Sequence, residues 1–355
     1  MPRLRQTENS ILAKIARGFW PPVAARLSRG TSRPADHISL GIGDDAALFQ
    51  PTSGFETMLT CDWLLEGTHF LRDRHPPDAV GWKCLARAVS DIAAMGGTPR
   101  CFLLSLALPE TATGPWLTEF LRGLRRAAQR FACTLAGGDT TKRDEILISI
   151  TVVGEVPRGR ALRRDGAHAG DLLYVSGRLG EAEHGLNLLR QQHGTANRRD
   201  AQLQKHLYPE PRLALGRWLV AKRLATAAMD LSDGLSSDLP RLCAASGGGA
   251  QIYAAKLPVV TLSSREGRAP KATRVRGASP RVDEARKLAL HGGDDYELLF
   301  TVPKKKAAQI PPALAGVPLH QIGEITASRK ILLVGENSRS TRLFASGWDP
   351  FGNGK

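Results

Sequence analysis

Residues 39–49 read SLGIGDDAALF and set two adjacent carboxylates, Asp44 and Asp45, between a glycine turn and an apolar run. Neighbouring carboxylates repel, and an aspartate entering apolar surroundings is costly unless a cation meets it. The local sequence supplies no such cation. The same arrangement returns in TCDWLLEG (60–67), AVSDIAAMGG (88–97), LAGGDTT (135–141), AMDLSDGL (228–235) and HGGDDYEL (291–298). One acidic residue at a glycine turn is ordinarily a turn or cap residue. A series of them, each flanked by alanine, leucine or methionine, points to a shared site that gathers carboxylates around cations. Hard oxygen ligands suit Mg²⁺, which takes few protein carboxylates and completes its shell with water or substrate phosphate. The glycines let backbone N–H groups approach an anion closely. Carboxylate-held magnesium beside glycine turns is equipment for phosphoryl transfer. No G-x-x-x-x-G-K-[ST] occurs, and no V-A-I-K, H-R-D, D-F-G set, so neither a P-loop enzyme nor a protein kinase is indicated.

Between these turns the periodicity alternates. ENSILAKIARGFW (8–20) has apolar residues at helical spacing, TMLTCDWL (57–64) and EILISITVVGEV (145–156) read as strands, and PDAVGWKCLARAVSDIAAMGG (77–97) reads as a helix opened by proline and stopped by glycines. CFLLSLALP (101–109) is a buried strand, and GPWLTEFLRGLRRAAQRFACTLAGGD (114–139) a helix running into a strand and a glycine turn. A second module follows from about residue 160, with strand–helix alternation through 169–192, 226–254 and 288–303. The chain of 355 residues, 42% hydrophobic, favours two domains, and 36 glycines with only 6% aromatic residues fit an α/β (α+β) enzyme of mixed sheets flanked by helices. The expected division is 1–155 and 156–355, the second part an α/β domain. The basic, core-poor stretch 263–287 reads as an exposed insertion.

The net charge of +15 suits polyanionic partners, whether nucleic acid, an anionic surface or phosphorylated small molecules. A nucleic-acid-binding protein is the remote alternative, motivated by charge alone. No recognition-helix motif is visible, and 263–287 lacks interleaved aromatics for base stacking. Five scattered cysteines without a C-x-x-C argue for reduced thiols in a cytoplasmic protein. Neither a signal-peptide h-region nor an apolar run of membrane-spanning length is present, so no membrane association is expected.

Taken in order, GIGDDAAL, TCDWLLEGTHF, SDIAAMGGTPR, LAGGDTTKRD, GRALRRDGAHAGDLLYVSGRLGEAEHGL, MDLSDGLSSDL, HGGDDYELLFTV and IGEI closely resemble the thiamine-monophosphate kinase family, within the ATP-using superfamily typified by aminoimidazole ribonucleotide synthetase. The resemblance runs from about residue 40 to 325. It implies the two-domain fold of that superfamily, ATP-dependent phosphorylation of thiamine monophosphate to thiamine diphosphate with several Mg²⁺ ions, and a homodimer joined through its N-terminal domains. Carried over residue by residue, it implies metal contacts from Asp45, Thr60, Cys61, Asp62, Asp91, Asp139, Asp230 and Asp233. Gly138, Asp139, Arg164 and Ser232 match positions that bind ATP. His69, Asp294 and Trp348 match positions that contact the thiamine substrate. No residue is implied as nucleophile or general base.

Three departures accompany the resemblance, one of them Phe131, which stands where a tyrosine is often found near the adenine and lacks its hydroxyl. Cys61 replaces a threonine before the aspartate, and a thiol is a poor magnesium ligand, so either its carbonyl serves or a contact is lost. Asp294 stands where glutamate is common. Asp44, Asp144 and Asp238 read as turn or surface residues, and Asp233 has the competing reading of a helix N-cap. Other enzymes of the superfamily are the nearer alternative. Selenophosphate synthetase would want a reactive cysteine near the N-terminus, where none precedes Cys61, and the hydrogenase-maturation relative a cysteine at the C-terminus, where this chain reads GNGK.

Overall fold

The structure, a computed structural model, describes residues 8–19, 37–42, 44–262 and 280–351. The chain folds as two compact units. The first comprises residues 1–161 and two later returns, 189–200 and 207–218, and the second comprises 162–188, 201–206 and 219–355. The sequence expectation was a single crossing at 155–156, whereas the main crossing lies at 161–162 and the chain comes back twice. The returns satisfy polar groups of the first unit. The Arg74 guanidinium donates to the carbonyls of Leu189 (3.3 Å), Arg190 and Gln192 (2.9 Å). The Trp82 indole N–H reaches the Pro209 carbonyl at 2.7 Å, and Arg198 meets the buried Asp78 at 2.9 Å. Short local pattern carries no signal for such long-range pairings.

In the first unit, helix α1 (Glu8–Phe19) precedes the short pair β1 (Ile38–Leu40) and β2 (Leu48–Phe49). A four-stranded sheet follows, built from β3 (Phe55–Leu65), β4 (Thr98–Leu108), β5 (Thr134–Lys142) and β6 (Leu147–Pro157) in the order β3-β6-β4-β5. β6 runs antiparallel to β3 and β4, and β4 and β5 run parallel. Helices α2 (Pro77–Ala94) and α3 (Pro115–Phe131) cover one face. Alternation assigns the faces. Met58, Leu64, Phe102, Leu104, Ile148 and Ile150 enter the core under the helices. Leu59, Cys61, Trp63, Leu103 and Ser105 lie on the other face and are exposed. Part of that open face is covered by the β1–β2 pair, where Ile38 packs with Cys101 and Ala136. The two helices approach closely because glycines face each other's backbone. A Cβ on Gly81 would lie 2.0 Å from the Phe120 carbonyl oxygen, and one on Gly123 1.8 Å from that of Asp78.

The second unit carries an eight-stranded sheet. Its strands are β7 (Leu172–Ser176), β8 (Ala227–Asp230), β9 (Gly249–Tyr253), β10 (Leu298–Val302), β12 (Val317–Thr326), β13 (Ile331–Val334) and β14 (Ser340–Arg342), in the order β14-β13-β9-β12-β7-β10-β8, with β11 (Ala313–Leu314) paired to β12. Only β9 and β13 are parallel neighbours. The remaining α-helices are α4 (Glu181–Gln191), α5 (Gln204–Leu207), α6 (Leu213–Lys222), α7 (Leu235–Ala245) and α8 (Pro280–His291), of which residues 189–191, 207 and 213–218 belong to the first unit. Leu173, Val175, Leu239, Ile252 and Ile322 belong to one continuous core. Of the stretch read as a basic insertion, residues 263–279 lie outside the described residues, while 280–287 open α8. Charge had masked a helix whose apolar side buries Ala285 and Leu288. No helix among the described residues is long and apolar enough to cross a membrane.

Candidate active site

In the first unit the expected ligands divide between the two faces of the sheet. Thr60 and Asp62 are two apart on β3, so both point to the helix side, where α2 presents Asp91 and Arg87 one turn apart. The Thr60 hydroxyl donates to Asp91 Oδ2, and Arg87 lies 4.0 Å from Asp62 Oδ1. Cys61, between them, points to the open face and its thiol meets the Ser149 hydroxyl at 3.3 Å. Its sulfur is therefore directed away from the Thr60–Asp91 pair, and only its main chain shares their side.

Gly138 and Asp139 lie inside β5, not in a turn. A parallel register pairs Gly138 with Leu104 and Asp139 with Ser105, after a bulge at Phe102–Leu103. Gly138 has φ 154°, and a Cβ there would stand 1.9 Å from the Leu104 carbonyl oxygen. The glycine pair, read as a turn, permits a close strand approach. Asp139 is exposed on the face of Ser105, and the neighbouring Thr140 hydroxyl is buried without a hydrogen-bond partner among the described residues.

Asp44 and Asp45 are both exposed, Asp45 in a bend, and the Asp45 N–H donates to Asp44 Oδ1 at 2.9 Å. Asp44 also forms an isolated β-bridge with Ile42, and Gly43 lies outside the described residues. His69 is half-buried, and its Nδ1 accepts the Leu65 N–H at 3.0 Å, which puts the neutral ring's proton on Nε2.

In the second unit, Asp230 is the buried last residue of β8, and the loop after it leads into α7. Gly234, not Asp233, is the N-cap of α7, and no side chain caps it. The cap reading of Asp233 is therefore replaced by an ion pair with Arg241. Asp238, read as a surface residue, is fully buried. Its Oδ2 accepts the N–H groups of Ser232 (3.1 Å) and Asp233 (3.0 Å), and its Oδ1 meets Arg241 at 2.7 Å. Burial, with the Asp233 carboxylate beside it, pushes the Asp238 carboxyl up to about 6, against the opposing pull of Arg241 and the two N–H groups. Asp238 and Arg241 were missed, although their i,i+3 spacing in the first turn of a helix was a readable signal.

Two further expected residues gather at this loop. The Asp294 N–H donates to the Ser232 carbonyl at 2.8 Å, and the Trp348 N–H to the Asp233 carbonyl at 3.0 Å. The Ser237 hydroxyl accepts the Gly347 N–H at 3.0 Å, fixing the segment that carries Trp348 against the start of α7. Trp348 itself is half-exposed. The 163–164 backbone is pinned to the same sheet, because the Arg163 carbonyl accepts the Ala228 N–H (2.9 Å) and the Arg164 carbonyl the Ser246 hydroxyl (2.7 Å). The Arg163 guanidinium is engaged by both oxygens of Asp165, whereas Arg164 pairs with no carboxylate among the described residues. Of the two arginines, Arg164 is the one available to an anion.

Among the described residues, no group of three or more His, Cys, Asp or Glu side chains is arranged to hold one metal ion. The expected ligands come as carboxylates and hydroxyls in ones and twos. That donor set fits magnesium, which needs only one or two carboxylates when water and substrate phosphates complete its shell.

Comparison with known proteins finds relatives that match most of the chain. The family description "AIR synthase related protein, N-terminal domain" matches residues 43–156, and "AIR synthase related protein, C-terminal domain" matches residues 168–335. The thiamine-monophosphate kinase of Escherichia coli K12 is 37% identical over 341 residues, covering 95% of this chain and 99% of that protein. The crystal structure of thiamine-monophosphate kinase from Stenotrophomonas maltophilia K279a is 38% identical, with TM-score 0.74, covering 88% of this chain and 94% of that one. A structure of "AaThiL complexed with AMPPCP and TMP" is 31% identical, with TM-score 0.70, and covers 99% of each chain.

Proposed function

Since this chain belongs to the thiamine-monophosphate kinase family, we propose that it transfers the γ-phosphoryl group of ATP to the phosphate of thiamine monophosphate, releasing thiamine diphosphate and ADP. The observation that carries this reading is its alignment, from end to end, with a relative solved together with AMPPCP and TMP.

The acceptor is a phosphate, already anionic near neutral pH, so no nucleophile or general base is needed. The task of the chain is to bring two polyanions into line, and its net charge of +15 favours their approach. Ser232, at the loop before α7, and the guanidinium of Arg164, which pairs with no carboxylate among the described residues, are suited to nucleotide phosphate, with Gly138 and Asp139 on β5 beside them in role. His69, Asp294 and Trp348 form the thiamine-binding set, the indole offering a flat surface to a heterocycle. Asp45, Thr60, Asp62, Asp91 and Asp139 of the first unit, and Asp230 and Asp233 of the second, would hold magnesium ions. Cys61 would join them only through its carbonyl. Bound magnesium would neutralise phosphate charge.

The exposed Leu59, Trp63 and Leu103, on the sheet face that α2 and α3 leave open, support a homodimer formed through the first unit. A cytoplasmic setting fits the substrates. The deciding experiment is incubation with ATP, Mg²⁺ and thiamine monophosphate, separating thiamine diphosphate from free phosphate. Thiamine diphosphate in step with ADP is expected, and phosphate release alone would refute the assignment. Asp91→Asn and Asp139→Asn should each raise the magnesium concentration needed for half-maximal turnover, and an unchanged requirement in both would refute the metal roles.

A further inference from the structure

The segment Asp294–Glu297 is held far more firmly than a loop needs. Asp294 and Tyr296 have φ of 66° and 50°, a left-handed conformation unfavourable for any residue with a Cβ and least so for aspartate and asparagine. Three backbone hydrogen bonds impose it. Asp294 N–H donates to the Ser232 carbonyl (2.8 Å), Tyr296 N–H to the Leu231 carbonyl (2.9 Å), and Leu231 N–H to the Glu297 carbonyl (2.8 Å). The flanking side chains are anchored as well. Asp295 accepts the Gly180 (2.6 Å) and Ala182 (3.1 Å) N–H groups at the start of α4, and Glu297 takes the Ser176 hydroxyl (2.5 Å) and Lys205.

With the backbone fixed in this way, the Tyr296 side chain is buried and its hydroxyl donates to Asp294 Oδ1 at 2.6 Å. That is the length of a charge-assisted O–H···O⁻ bond. The phenol ring has little room to turn, so it fixes where the carboxylate stands. We propose that Tyr296 is a positioning residue, whose hydroxyl holds the Asp294 carboxylate in the orientation that meets thiamine monophosphate. The inference rests on the substrate role given above to Asp294. It also accounts for an aspartate at this position: the shorter acid tolerates the left-handed backbone and still reaches the phenol.

The test is steady-state kinetics, with thermal midpoints, on Tyr296→Phe, Asp294→Asn and the double variant. Y296F should raise KM for thiamine monophosphate about tenfold to a hundredfold, the effect of one lost hydrogen bond to a charged group. KM for ATP and the thermal midpoint should stay at the parent values, and the double variant should be no worse than D294N. Equal rises in both KM values, or an additive double variant, would overturn the proposal. The two failures separate cleanly. An unchanged thiamine monophosphate KM in D294N refutes the substrate role of Asp294, while a normal KM in Y296F beside an impaired D294N refutes the role of Tyr296 alone.

Discussion

Asp294 and Asp295 are chemically identical neighbours with opposite environments. Asp294 is half-buried and bound to a phenol, whereas Asp295 is fully buried at the start of α4. Burial pushes the Asp295 carboxyl up to about 7, although Lys205 and two N–H groups favour its ionised form. Between the ordinary carboxylate value of 3.8 and about 7, the folded chain therefore binds a proton that the unfolded chain has released. The stability this contributes is complete below that window and is lost as pH rises through it. Asp295→Asn should flatten the fall in urea midpoint between pH 5 and pH 8, and an unaltered slope would exclude Asp295 as its source. Sequence reading assigned Asp45 to a metal site and Asp44 to the turn; in the structure both are exposed, and the Asp45 N–H donates to Asp44 Oδ1. It misread Asp238, because that burial is made by Arg241 and by a loop folded back over the carboxylate, neither of which a neighbour-by-neighbour reading weighs.

Elements were more legible than sites. The helix at 77–97 and the strands at 57–64 and 145–156 carried their own stop signals and periodicity, and they stand as α2, β3 and β6. Gly137–Gly138 was less legible, since paired glycines ordinarily mark a turn, and here both sit in β5, where the β4 backbone leaves no room for a Cβ on Gly138. Gly138→Ala should then cost about 1–3 kcal/mol, as overpacking of a filled interior does, and lower the affinity for ATP with it. A thermal melt with and without nucleotide would measure both, and an unchanged midpoint would mean that β4 and β5 can separate at no cost. The alternation along β3 also resolves the departure at Cys61. One residue of offset directs a side chain to the other face of the sheet, so a thiol there leaves the Thr60–Asp91 side without sulfur.

For the whole molecule, family and fold were readable because the signal is an ordered series of turns spread over both units. The assembly was not readable from composition, since the open apolar face emerges only when alternate residues of three strands are laid side by side. Trp63 is 54% exposed and Leu59 74% exposed there. Trp63→Arg with Leu59→Glu should convert a dimer to a monomer in light scattering while leaving the fold's circular dichroism intact. A parent protein that is monomeric at micromolar concentration would refute the dimer. The unit boundary was the least legible feature, because what returns the chain to the first unit is a set of single polar contacts far apart in sequence.

Those returns also set a timetable for the chain as it is synthesised. When residue 161 leaves the ribosome, the first unit still lacks the Pro209 carbonyl that receives the Trp82 indole and the Arg198 guanidinium that meets Asp78. Both are present only once residue 209 has emerged, after part of the second unit has already been made. Nascent chains stalled after residue 161 should therefore be cut readily by protease within α2 and α3, and chains stalled well beyond residue 218 should resist. Translation of the middle of the message, more than of its first half, is thus the step that commits the N-terminal half to its native state.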